Sequence, residues 1–438
     1  MKVPRRRIQS PIFRRCFSVS LQRREVREIE ALPERIHPSY KETPNNDLLS
    51  LRWPSPPRNI LLVKKNHSAV ATDAIIEFAR YVHSTYPNIS LILEPHTAAE
   101  VHSSFPFPIY THPQARDAAY PILNRKVDMT STFGGDGTIL HASSLFATTT
   151  HVPPILSFSM GTLGFLGEWK FTEYKRAFRE VYMSGAGVGN RGNTLDENPT
   201  ASSPLNENAE APVTGLTGWS SIRGKSLGST RGARVLLRNR LKVSIHSATG
   251  SPISRDNTPT SNPPTATHAL NELIIHRGAD PHLAIVEVSV GGRFLTEAVA
   301  DGMIVSTPTG STAYSLSSGG SIIHPLVPSL LLTPICPRSL SFRPLVLPAN
   351  APVTLRLSEK NRGREVEVSV DGVRRRRGVG VGMEVRVWGR RGRGEGAGGV
   401  GVPCVMRGGL GGEASGDDGW VVGLNGLLKF NHPFGEEG

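Results

Sequence analysis

The apolar positions between residues 59 and 158 follow two alternating rhythms. Asn59 to Lys64, Ile89 to Leu93, Val127 to Phe133 and Pro154 to Phe158 are short runs, mostly apolar, as strands buried on both faces are. Between the first two, Val70, Ala74, Ile75, Phe78, Ala79 and Val82 recur at helical spacing, which predicts a helix from Ala69 that stops before Pro87. A second amphipathic run, with Ile139, Leu140, Leu145 and Phe146, separates the last two strands. This β-α-β alternation predicts a parallel sheet whose ligand lies beyond the strand C-terminal ends.

After about residue 170 the rhythm changes. Arg234 to Ile245, Leu270 to His276, Ala284 to Val290, Gly302 to Val305, Val353 to Leu357, Val366 to Val370 and Met383 to Trp388 are short β-type runs. Many alternate apolar with polar residues, as sandwich strands do. Residues 184–232 and 247–266 are rich in Gly, Asn, Ser and Pro without a period, and read as disordered insertions. The expected organisation is an α/β domain over 58–168 and a β-rich domain over 169–415, preceded by a polar, proline-broken linker over 25–57.

Candidate chemistry sits where these rhythms break. Val127 to Phe133 ends in Gly134-Gly135-Asp136-Gly137-Thr138, at the head of an amphipathic run. A strand, glycine turn and helix of this kind bring backbone N–H groups to an anionic ligand. A carboxylate there repels phosphate, so the presence of Asp136 points to proton abstraction or to holding Mg²⁺. The pattern is neither the Walker loop nor the dinucleotide fingerprint, and alone it reads equally as a tight structural turn. A second glycine-rich segment, 301–325, starts at Asp301 and runs through Thr309-Gly310-Ser311-Thr312-Ala313-Tyr314 to Ser317 and beyond. The hydroxyls of Thr309, Ser311 and Thr312 donate without adding charge, which suits phosphate or ribose oxygens, and Asp301 suits a sugar diol. Alone, this segment is also an ordinary polar turn.

Together the two segments resemble the NAD kinase family, enzymes that phosphorylate NAD to NADP. Gly134 to Thr138 matches the first family signature, Asn271-Glu272 within 269–275 the second, and 301–325 the third. Ile335 to Pro344 and Val370-Asp371-Gly372 are similar to further family segments, and the order agrees from about residue 58 to the C-terminus. The Gly-Gly-Asp-Gly core alone is shared with phosphofructokinases and lipid kinases. By themselves Asn271 and Glu272 read as a capping or turn pair; the resemblance implies that they bind NAD. It also implies NAD contacts at Asp136, Gly137, Asp301, Thr312, Ala313, Tyr314, Ser317 and Asp371, although Val-Asp-Gly is also an ordinary hairpin turn. It implies ATP-phosphate contacts at Gly134, Gly135, Gly137, Thr138, Thr309 and Gly310, and a return of residues 416–438 to the first domain. Within the family the chain is most similar to fungal mitochondrial NADH kinases. His276 departs from the pattern, since many relatives carry an acid there.

The activity so implied is ATP-dependent phosphorylation of NAD or NADH at the 2′-hydroxyl of the adenosine ribose, with Asp136 as the catalytic residue. Mg²⁺ is expected to arrive with ATP, because the sequence shows no three-carboxylate or histidine cluster. A homo-oligomer is expected. Two alternatives are a lipid kinase of the diacylglycerol or sphingosine type and a non-catalytic NADP-binding regulator. The first has no need of Asn271-Glu272 or 301–325; the second has no need of Asp136.

Charge changes the picture at one end. The 438 residues carry a net +13, but residues 1–24 hold eight Lys/Arg and no acid. Without them 42 basic residues face 37 acidic ones, a net of +5. An Arg-rich, Ser-containing, acid-free leader has the composition of a mitochondrial transit peptide, which predicts the matrix, with the cytoplasm as the alternative. The second basic cluster, Arg374 to Arg393, is glycine-rich and holds one aromatic, Trp388, so it reads as a turn and loop and not as a nucleic-acid surface. Three cysteines without paired spacing argue against a disulfide scaffold or zinc site. No apolar run approaches the ~20 residues that span a bilayer, so neither nucleic acid nor membrane is an expected partner.

Overall fold

The computed structural model describes residues 25–43, 46–86, 88–161, 164–167, 169–186, 232–253, 266–389 and 401–407, with positions 420, 424 and 428. The leader 1–24, most of both insertions and nearly all of 416–438 lie outside the described residues. No described helix is long and apolar enough to cross a membrane.

The first domain is built on an 11-stranded sheet. Ile109–Thr111, Ser90–Leu93, Asn59–Lys64, Met129–Phe133 and Ile155–Ser159 lie side by side in that order, all parallel. Every residue of Asn59–Lys64, Met129–Phe133 and Ile155–Ser159 is buried, which explains their lack of alternation. Helix Ala69–Thr85 starts at Ser68, whose hydroxyl accepts the Ala71 N–H, and buries Ala74, Ile75, Phe78 and Val82. Phe78 meets the rings of Phe133, Phe158, Phe178 and Tyr174 at centroid distances between 5.1 and 5.9 Å. These edge-on and tilted contacts tie helix to sheet.

Several boundaries differ from the pattern-based ones. Residues 25–57 are not a linker. Val26–Glu28 pairs in parallel with Ile109–Thr111 at one edge of the sheet, and Ser39–Thr43 with Asn46–Arg52 forms the opposite edge. These segments carry little pattern of their own because their order comes from partner strands distant in sequence. The first domain also continues past 168, since helix Tyr174–Tyr182 puts Phe178, Val181 and Tyr182 into its core. The run Arg234 to Ile245 is two strands in different domains. Arg234–Asn239 pairs with Gly401–Val405 and Asn46–Arg52 in the first sheet, whereas Leu241–His246 pairs in the second domain. The described chain therefore re-enters the first domain at Gly401, ahead of residue 416. Residues 247–253, read as part of an insertion, close a turn in which Ser247 N–H donates to Ser251 O (2.8 Å) and Ile253 N–H to Ile245 O (2.9 Å).

The second domain packs a six-stranded against a seven-stranded antiparallel sheet. Val286, Val288, Leu355, Val385 and Val387 from one face meet Leu273, Ile275, Met303, Val305, Leu332 and Val368 from the other. Here the alternation read from the sequence is realised: Ala284–Val290 and Val353–Leu357 bury every second residue at the core.

Candidate active site

Asp136 is the first residue of helix Asp136–Ser144, at the C-terminal end of Met129–Phe133. The glycine turn is pinned across the sheet: Gly134 N–H donates to Phe158 O (3.0 Å) and Lys65 N–H to Phe133 O (2.9 Å). A Cβ on Gly134 would overlap the Thr138 hydroxyl and crowd Lys65, whereas Gly135 and Gly137 face open space. Thr138 itself is buried. The Asp136 carboxylate is held by two backbone donors, Phe165 N–H to Oδ2 (2.9 Å) and Leu166 N–H to Oδ1 (3.1 Å). Gly164 lies so close that a Cβ there would collide with the carboxylate. Each oxygen keeps a further lone pair for a substrate hydroxyl.

The second domain reaches this helix along a defined path. His268 N–H donates to Ala147 O (2.9 Å), and Arg240 donates to the carbonyls of Phe146 (3.1 Å) and Thr149 (2.7 Å). Leu270 joins the core cluster of Ile139, Ala142, Leu145 and Phe146. The chain from His268 to Asn271-Glu272 therefore starts at the C-terminal side of the Asp136 helix and shares its apolar cluster through Leu270. The 307–312 turn sits on the same pair. Thr307 N–H donates to Asn271 O (2.9 Å), and a Cβ on Gly310 would strike that carbonyl. Thr309 is buried, Thr312 half-buried, and Tyr314 and Ser317 are exposed just beyond Ala313. The structure places the 307–312 turn against Asn271, and it ties the segment leading to that pair to the end of the Asp136 helix.

Asn271 Oδ1 and Glu272 Oε2 are buried with no hydrogen-bond partner among the described residues. Such atoms are costly unless a ligand meets them. Burial, and then the neighbouring Asp371, push the Glu272 carboxyl up to about 8. Burial also raises Asp371, to about 6, against the pull of three N–H donors and Arg240. At neutral pH Glu272 therefore holds the proton and Asp371 the charge. A raised folded-state value means that stability is fully present below the unfolded value (~4.3 for Glu) and is lost as pH rises through 8. We expect the wild-type melting temperature to fall from pH 6 to 9, and Glu272→Gln to flatten that fall. The loss approaches ~1.4 kcal/mol per pH unit between the unfolded value and 8 and levels off above 8. Parallel melting curves for the two proteins would count against a neutral, buried Glu272.

Two residues expected to contact NAD have protein partners of their own. Asp371 accepts the N–H groups of Leu270 (2.7 Å), Asn271 (2.7 Å) and Glu272 (3.1 Å). It shapes the backbone under Asn271-Glu272. Asp301 pairs with Arg277 (2.6 Å) at the far end of the ladder. Glu272 is opposite Ser306 and His276 opposite Gly302, so about five residues of strand, ~16 Å, separate Asp301 from Glu272. Closeness in sequence to 309–317 does not carry over because the strand Gly302–Ser306 is extended. The hydroxyl of Ser311, expected to be free for phosphate, instead bonds Pro308 O (2.6 Å) and Ile323 N–H (2.9 Å) and staples the turn.

The pattern-based reading missed Gly164, Phe165 and Leu166, although Gly161, Gly164 and Gly167 show a glycine period in the sequence. It also missed Arg238, which donates to Phe165 O (3.2 Å) and so holds the loop that holds Asp136. Lys65, beside Gly134, is a cation at the phosphate-type turn with no sequence signal beyond its place after a strand. Among the described residues no group of three or more His, Cys, Asp or Glu is placed to hold a metal ion.

A parallel α/β domain that presents one carboxylate in a glycine turn, met by polar groups from a β-rich domain, defines a nucleotide-binding phosphotransferase. The ATP-NAD kinase N-terminal domain model matches residues 60–186, and the ATP-NAD kinase C-terminal domain model matches 270–391. The mitochondrial NADH kinase of Schizosaccharomyces pombe is 36% identical over 96% of this chain and 89% of its own length. That of Saccharomyces cerevisiae is 35% identical over 80% and 72%. A crystal structure of yeast NADH kinase complexed with NADH superposes with a TM-score of 0.71 at 32% identity, covering 94% of this chain and 100% of that one. The chain belongs to the NAD kinase family.

Proposed function

We propose that the chain transfers the γ-phosphoryl group of ATP to the 2′-hydroxyl of the adenosine ribose of NADH and NAD, giving NADPH and NADP. Asp136 carries the proposal: it is the acid inside the glycine turn, and the second domain, which carries Asn271, Glu272 and Gly310, is tied to the end of its helix through His268, Arg240 and Leu270. The 2′-oxygen forms a bond to the γ-phosphorus as the bond to the β-phosphate oxygen breaks. The hydroxyl proton passes to Asp136 and ADP leaves. The amides that hold the carboxylate fix its direction, and the glycine turn with Lys65 offers donors and a positive charge to the phosphates. Phosphoryl transfer asks for such positioning and charge stabilisation more than for covalent chemistry. Mg²⁺ enters as part of the nucleotide substrate. The unmet Asn271 Oδ1 and the protonated Glu272 suit a base edge or ribose hydroxyls. ATP-dependent turnover on NADH, NAD and sphingosine, measured side by side, tests the assignment; turnover on sphingosine alone would overturn it.

The location we propose is the mitochondrial matrix. The basic, acid-free leader supports it, as do two relatives named as mitochondrial. The same relatives support use of NADH at least as readily as NAD. Residues 1–40 fused to a fluorescent reporter are expected to direct it to mitochondria, and a cytosolic signal would refute this. A strong kcat/KM bias towards NAD would refute the preference alone.

A further inference from the structure

We propose that a cavity at the N-terminal ends of the parallel strands, remote from Asp136, binds a small organic anion, either a carboxylate or a phosphate monoester. The cavity, partly open to solvent, has a volume of ≈ 240 Å³, room for a small anion and several waters. Arg35 lines it and is only 9% exposed. One guanidinium nitrogen donates to His151 O (2.9 Å), while its Nε is buried without a partner among the described residues. Asp128, close enough to be felt by this charge, is committed elsewhere. It accepts the N–H groups of Ile36 (2.6 Å), Arg58 (2.6 Å) and Asn59 (2.9 Å), and no ion pair joins it to Arg35.

Tyr40 also lines the space, and its hydroxyl is buried with no described partner. His37 and His151 stand exposed at the rim, and no acidic residue lines the space. Val152 and Leu237 supply apolar wall for a carbon skeleton. A desolvated guanidinium with an unmet donor is costly by itself. A planar fork of N–H donors matches a carboxylate or phosphate. The site is distinct from the substrate cleft, because the strand Met129–Phe133 lies between the two, ~16 Å of extended chain.

Calorimetric titration of the full chain with malonate, and separately with inorganic phosphate, tests this, with saturating NADH present throughout. Saturable binding of at least one probe is expected. Its Kd should rise at least tenfold in Arg35→Gln and in His37→Glu, and stay unchanged in Asp136→Asn. His37→Glu changes an exposed rim position, so the test stands if Arg35→Gln fails to fold. Absence of saturable binding, binding that survives His37→Glu in a folded protein, or binding lost in Asp136→Asn would each overturn the proposal.

Discussion

Asp136→Asn is expected to lower kcat by ~10²–10⁴-fold, the usual contribution of a positioned acid or base. The substitution keeps the volume and removes both the charge and the basic lone pairs. It also has a structural cost. Both carboxylate oxygens accept backbone N–H groups, from Phe165 and Leu166, and an amide NH₂ can replace only one of them. One opposed donor pair costs ~1–3 kcal/mol, so the variant should melt a few degrees lower yet remain cooperatively folded. A folded Asp136→Asn protein with near-wild-type turnover would remove Asp136 from the chemistry. A variant that fails to fold would leave the question to Asp136→Glu, which keeps the acid and displaces it against Gly164.

Asp371→Ala should be the most damaging change outside the glycine turn. One carboxylate satisfies three consecutive N–H groups at the entry to the Asn271-Glu272 strand. Its own residue sits at φ 47°, a left-handed conformation that suits Asp better than Ala. Truncation leaves the three donors without their acceptor, at ~1–3 kcal/mol for each that water cannot reach. A loss of about 3 kcal/mol or more in unfolding free energy is expected, together with a KM for NADH raised at least tenfold. The KM for ATP should move less, because the proposed function assigns Asn271 and Glu272 on this backbone to the dinucleotide. A protein of unchanged stability, or equal effects on both substrates, would contradict this role.

These expectations draw on two kinds of information. The parallel strands and the Asp136 turn were legible because their signals are local. A strand buried on both faces is a solid apolar run, and a glycine turn against a helix N-terminus leaves its glycines in the sequence. Sandwich strands such as Ala284–Val290 were legible for the same reason, since alternation is set by one core face. The resemblance to the family came from those same turns. The sequence could not show where order is conferred by partners. Asn46–Arg52 and Ser39–Thr43 are strands because Arg234–Asn239, nearly two hundred residues away, completes their sheet. The break at Arg240 is silent in an unbroken β-type run, because which sheet a strand joins depends on the neighbours it finds.

The same distinction governs the site. Asp136 and Gly310 lie in glycine-rich turns that mark them locally, and Asn271 stood out through the family resemblance. The roles of Asp371, Asp301 and Gly164 depend on distance. Asp371 turns inward onto three amides, Asp301 is carried ~16 Å away by an extended strand, and Gly164 is needed because a carboxylate from another segment lies against it. By itself the sequence determined which residues have the chemistry to act. Tertiary structure alone decided which of them meet, because hydrogen bonds and close contacts between segments 24 to 100 residues apart leave no period in the chain.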